Sequence, residues 1–177
     1  MENLIERFTL ECRTNKSGKL KKFKPKNINK EKYKIWKADA NVMLRDAILA
    51  NKAGLSYPRQ LELIHGTIER ILKTFVIQRY GIKLSVHETA IIYDAIKKDL
   101  VENLRNEDYF TLRMLDSKFI IDRYPVDNRF YEYEMIEDGF EVLININKIV
   151  DESLELSKRA KIAIEEAERE ISIDREL

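Results

Sequence analysis

The sequence predicts an all-α protein, an up-and-down bundle of about five helices with a long last helix, preceded by a short basic arm or β-hairpin. Three observations predict it. From about Asn27 onward, apolar residues recur with the helical period. The 177 residues include only five Gly and three Pro, too few for a many-turned all-β chain. Start and stop signals then divide the periodic region into segments of ordinary helix length. Residues 1–27 therefore read as the arm or hairpin and residues 28–177 as one helical domain.

The arm is strongly cationic although the whole chain sums to a formal charge of +1. Lys16, Lys19, Lys21, Lys22, Lys24, Lys26, Lys30, Lys32 and Lys34 crowd one stretch in which Glu31 is the only acid. Such a cluster suits phosphates, because released counterions supply affinity that ignores base sequence; a solvated arm is the bland alternative. Phe8, Leu10, Leu20 and Phe23 alternate with polar residues on either side of Thr14-Asn15-Lys16-Ser17-Gly18, which predicts two short strands around a turn.

The first helix carries Tyr33, Trp36, Ala40, Met43, Leu44 and Ala47 on one face, with Asn27 or Asn29 to cap its start and Gly54 its end. A second helix starts near Pro58, whose fixed φ suits a first turn, and runs through Leu61, Ile64, Ile68, Leu72 and Phe75 to a stop at Gly81. Ser85-Val86-His87-Glu88 has capping-box spacing and predicts a third helix over Ile92, Ile96, Leu100 and Leu104, with His87 in its first turn. A fourth fits Glu107 to Asp122 with Leu112, Leu115 and Phe119 inside, before Arg123-Tyr124-Pro125 interrupts it. From about Tyr131 the last helix repeats Ile136, Leu143, Val150, Ser157, Ile164 and Ile171 every seven residues. Its first half should close the core; its charged second half is fit to project or to pair with another chain.

Several classes are disfavoured. No apolar run is long enough for a membrane span, and Met1-Glu-Asn-Leu-Ile-Glu-Arg lacks the order of a signal peptide, so a soluble cytoplasmic protein is expected. Cys12 is the single cysteine, which leaves no internal disulfide and no cysteine-built zinc site; two histidines make a poor zinc site, and no cofactor is implied.

Three separated stretches resemble the HEPN domains, helical bundles named for nucleotide binding in higher eukaryotes and prokaryotes. Trp36-Lys37-Ala38-Asp39-Ala40 is similar to the opening helix. Ile64-His65-Gly66-Thr67-Ile68-Glu69-Arg70-Ile71-Leu72-Lys73 resembles the family's His-x3-Glu-x3-Lys helix, followed by Gly81 and His87. Leu115-Asp116-Ser117-Lys118-Phe119-Ile120-Ile121-Asp122-Arg123-Tyr124-Pro125 resembles the segment before the last bundle helix, where many members carry Arg-Tyr-Pro. The resemblance spans about Tyr33 to Val150.

The resemblance implies a module that binds nucleotide or RNA, forms a homodimer and in some cases serves a separate nucleotidyltransferase. Many members are metal-independent endoribonucleases in which an Arg is followed four to six residues later by a His; the first holds phosphate and the second moves a proton. After Arg123 no His follows in reach. Arg59 and His65 have the spacing but fall in the second helix, where His65 shares the stripe of Leu61, Ile68 and Leu72 and reads as a hydrogen-bonded packing residue. The expected anion contacts are Lys73, Arg79, Arg123, Tyr124 and Arg129, with Lys21, Lys22 and Lys24 from the arm, and no residue is assigned to catalysis or metal. Two alternatives are a ribonuclease toxin with a rearranged site using His65 or His87, and a plain interaction bundle.

Overall fold

The computed structural model describes residues 4–14, 19–122 and 132–174. Its organising element is α3 (Tyr57–Tyr80), which is buried on most of its circumference. Ile64, Ile68, Ile71, Leu72 and Phe75 are each at most 1% exposed, and burying each such side chain contributes roughly 1.5–3 kcal/mol. Pro58 sits in the first turn and Gly81 ends the helix at φ +67°, a left-handed conformation in which its N–H reaches the Ile77 carbonyl at 2.8 Å. Both ends match the sequence expectation.

Around α3 pack α2 (Tyr33–Lys52), α4 (Thr89–Ile96), α5 (Asn106–Asp122) and α6 (Tyr133–Asp174). A 3₁₀ turn over Lys30–Lys32 leads into α2, and the Asn29 side chain caps it by accepting the Glu31 N–H at 2.9 Å. Helix α6 has 42 residues, about 63 Å at 1.5 Å per residue. Ile136, Leu143 and Val150 of its seven-residue series are buried, whereas Leu156 and Ile162 are exposed. The side chains of Phe119, Ile164 and Ile171, and the predicted break at Arg123-Tyr124-Pro125, lie outside the described residues. Among the described residues no helix is long and apolar enough to cross a membrane.

The N-terminal region forms the hairpin, with β1 (Leu10–Thr14) antiparallel to β2 (Leu20–Phe23) and Leu10 opposite Phe23. Most of the turn between them, residues 15–18, lies outside the described residues. Phe8, Leu10 and Cys12 are buried in the main core, so one face of this segment is packed rather than solvated. Two further elements have no local signal in the sequence. A one-turn helix, α1 (Leu4–Arg7), precedes the hairpin, and β3 (Lys26–Asn27) pairs antiparallel with β4 (Ile82–Lys83) just beyond Gly81.

The third predicted helix is corrected at both ends. It begins at Thr89, not at Ser85, and Glu88 makes no capping bond. Residues 83–88 instead alternate outward and inward, which sinks Leu84 and Val86 into the core and leaves Ser85 and His87 exposed; that period of two requires extended chain. The cap comes from another helix. Asp116 of α5 accepts the Thr89 N–H at 2.7 Å, the Thr89 hydroxyl at 2.8 Å and the Ala90 N–H at 3.0 Å.

At its other end α4 stops at Ile96 and passes through a 3₁₀ turn, Lys97–Asp99, so Leu100 and Leu104 pack from a loop. Arg7 supplies a reason: its guanidinium donates to the Ala95 carbonyl at 2.9 and 3.2 Å, an acceptor that a continuing helix would offer to residue 99. The same guanidinium is paired with the Asp99 carboxylate and lies 5.2 Å from the Tyr80 ring centre. Burial pushes the Asp99 carboxyl upward, but the nearby Tyr80 hydroxyl and the paired Arg7 guanidinium outweigh it and hold Asp99 below its ordinary value of 3.8. A depressed carboxyl stabilises the fold above that value and loses its contribution as pH falls through the folded one. Asp99→Asn should therefore cost about 1–3 kcal/mol in urea denaturation at pH 7. The difference from wild type should close below pH 3.8, and a gap undiminished in acid would contradict this assignment.

A basic groove at the end of the central helix

Where α3 ends, its carbonyls form the negative end of the helix dipole, so cations are favoured there. The chain brings them from three separate places. Residues 26–30 cross this end: Lys26 lies opposite Lys83 in the strand pair, the Ile28 N–H donates to the Gly81 carbonyl at 2.9 Å, and Lys30 Nζ donates to the Arg79 carbonyl at 2.8 Å. Gly81 is required here twice over, by its positive φ and because a Cβ would stand 3.1 Å from the Ile28 carbonyl oxygen.

The result is a groove of about 350 Å³ among the start of α2, the end of α3 and the middle of α6. Lys30, Lys34, Arg79 and Lys158 line it against one lining carboxylate, Glu31, with Tyr33 as its aromatic wall. Lys34 is bonded to Glu31 at 2.6 Å and Lys158 to Glu155 at 2.6 Å. These hydrogen bonds are the main reason both ammonium groups titrate above their usual range, so the groove stays cationic at neutral pH. Lys158 also acts on Lys34 by like-charge repulsion, a sign of how closely α6 approaches α2 here.

Of the residues expected to meet an anion, Arg79 stands in this groove, exposed at the helix end. Lys21, Lys22 and Lys24 are exposed on or just after β2; Lys21 Nζ lies 4.6 Å from the Phe23 ring centre and Lys22 is paired with Glu11 at 2.8 Å. Lys73 is elsewhere, 4% exposed and bonded to Glu69 at 2.7 Å. Arg123, Tyr124 and Arg129 lie outside the described residues. Lys30 and Lys34 belong to the lysine-rich run visible in the sequence, whereas Lys158 carries no local signal and is recruited by packing.

The polar residues of the family-like helix divide between two partners. His65, 1% exposed, is bonded through Nε2 to Asp116 at 2.9 Å, as expected of a packing histidine. Glu69 receives Lys73 and also His87, whose Nδ1 lies 3.1 Å from both carboxylate oxygens. His87 is thus in the extended segment before α4 and not in a helical turn. Arg59 is exposed and paired with Glu62 one turn away. A second cationic cluster flanks the strand pair: Arg70 stacks 4.2 Å over the Trp36 ring and bonds Asp39 at 2.9 Å, with Lys83 Nζ 5.9 Å from the same ring. Among the described residues no group of three or more His, Cys, Asp or Glu side chains is placed to hold a metal ion.

No protein-family model matches this sequence, and no curated protein does. Among solved structures, the chain is similar to an archaeal HEPN homologue, with a TM-score of 0.51 and 19% identity, over 69% of this chain and 97% of that one. The fold is HEPN-like, an all-α bundle with a long C-terminal helix. The likeness agrees with the three stretches of sequence that resemble HEPN domains.

Proposed function

We propose that this chain is a HEPN-like module that binds RNA or nucleotides through their phosphates, acts as a homodimer in the cytoplasm and serves a separate nucleotidyltransferase. The observation that carries the binding reading is the meeting of Lys30, Lys34, Arg79 and Lys158 beside Tyr33 in one groove, since four cations from three distant segments exceed what capping one helix needs. Phosphate oxygens suit the fork of Arg79, and a base can stack on Tyr33. Lys21, Lys22 and Lys24 of the hairpin extend the cationic surface, and Arg123, Tyr124 and Arg129 are proposed as further contacts. Lys73 acts indirectly in this reading, by holding the Glu69 carboxylate against His87.

Self-association is supported by α2. Ile35, Val42 and Leu49 recur every seven residues and are exposed, forming an apolar stripe with no partner among the described residues. Arg45 and Lys52 flank it on one side and Asp39 and Asp46 on the other. A parallel two-fold sets the acidic flank of one copy against the basic flank of the next, whereas an antiparallel one sets acid against acid.

Two measurements test these parts separately. In fluorescence anisotropy with single-stranded RNA at low salt, Arg79→Glu should weaken binding at least tenfold and flatten the slope of log affinity against log salt by about 0.7 for each phosphate no longer neutralised. No binding, or affinity indifferent to Arg79, would overturn the groove. In sedimentation equilibrium the wild type should run at twice the chain mass and Val42→Glu at the chain mass. A wild-type monomer removes the dimer, and a dimer untouched by Val42→Glu removes α2 as its seam.

A further inference from the structure

A second concavity, of about 590 Å³, lies between the end of α4 and the start of α5 and shares no residue with the basic groove. Its size falls in the range of small-molecule sites, roughly 300–1,000 Å³. We propose that it binds a small molecule that joins a flat ring to an anionic group, the chemistry shared by a nucleoside monophosphate and an aromatic carboxylate. The proposal is independent of RNA binding in the groove and of pairing through α2.

The walls are fixed before any ligand arrives. Tyr93 is buried, and its hydroxyl accepts the Leu104 N–H at 2.8 Å, which ties the loop after α4 back onto the helix. Ser153 of α6 accepts the Val101 N–H of the same loop at 3.1 Å, and the Arg7–Asp99 pair holds its beginning. Tyr109 of α5 donates to Asp94 of α4 at 2.6 Å, closing the far side. A ligand entering here does not have to order the loop, and that saving favours binding.

The lining specifies the ligand. The partly exposed Tyr109 ring offers a ligand ring an aromatic contact, and the buried Tyr93 ring, 6.0 Å away at 48°, backs it from the core side. Lys97 and Lys98 reach the pocket against one carboxylate, Asp94. Both oxygens of that carboxylate are engaged, Oδ1 by Lys97 at 2.8 Å and Oδ2 by Tyr109, so the acid is matched internally and the pocket keeps a net positive charge. The hydrogen bond to Asp94 raises both Lys97 and Tyr109 above their usual values, which keeps the ammonium charged and the phenol neutral at pH 7. The Asn103 and Asn106 side chains add amide donors and acceptors able to read the edge of a heterocycle. A bare anion leaves the Tyr109 ring unused, and a neutral ring leaves the excess cation unanswered.

The test titrates the 177-residue chain with AMP, benzoate and inorganic phosphate, following side-chain amide signals of Asn103 and Asn106 by NMR. AMP or benzoate should shift both amides and saturate, and which of the two binds more tightly identifies the source of the ring. Lys98→Glu, an exposed substitution whose fold is checked by circular dichroism, should weaken that ligand at least tenfold, while Arg79→Glu should leave it unchanged. Three results overturn the site: no response to either ring-bearing anion, equal binding of inorganic phosphate, or binding lost in Arg79→Glu but retained in Lys98→Glu.

Discussion

One carboxylate ties three helices of this protein together. Asp116 of α5, 8% exposed, caps the first turn of α4 through two backbone N–H groups and the Thr89 hydroxyl, and also binds His65 of α3. Each of these polar groups is remote from water, and leaving one unpaired costs about 1–3 kcal/mol. The node therefore fixes where α4 begins and how it sits on α3. Because α4 is only eight residues long, marginal as an isolated helix, its existence depends on this external cap and on the burial of Ile92, Tyr93 and Ile96.

Fixing α4 on α3 has consequences at both ends of the segment. Upstream, Leu84 and Val86 must enter the core in extended chain, which leaves His87 at the surface against Glu69. Downstream, α4 ends against Arg7, and the loop that follows is tied back by Tyr93 and Ser153. The central helix is sheathed by α2, α4, α5 and α6, and the basic side chains along its length, Arg59, Arg70 and Lys73, are each paired with a carboxylate. Its last turn and the Gly81 crossing are where charge gathers, so the basic groove is built from chain that packing alone brings together.

The helices are legible because their signals are local. Pro58, Gly81, the seven-residue series of α6 and the paired apolar residues of the hairpin act within a few residues of where they stand, and each marks its element correctly. Ser85 and Glu88 have the spacing of a cap, yet the tertiary carboxylate of Asp116, twenty-seven residues beyond Thr89, takes the helix N-terminus instead. Nothing local announces that. The same holds for Lys158, which reaches the groove from α6, and for Arg7, which ends α4 from the other side of the sequence. Arg79 is identifiable because a cation at a helix C-terminus is a local pattern; the convergence of its neighbours on the groove is not.

Native-state hydrogen exchange measures the central node most directly. In the wild type, the amides of Thr89 and Ala90 should exchange only through global unfolding, as should those of α3 from Ile64 to Ile77. In Asp116→Ala the two α4 amides should exchange at least tenfold faster through local opening while α3 stays protected. Unchanged protection of Thr89 and Ala90 in that variant would contradict the account.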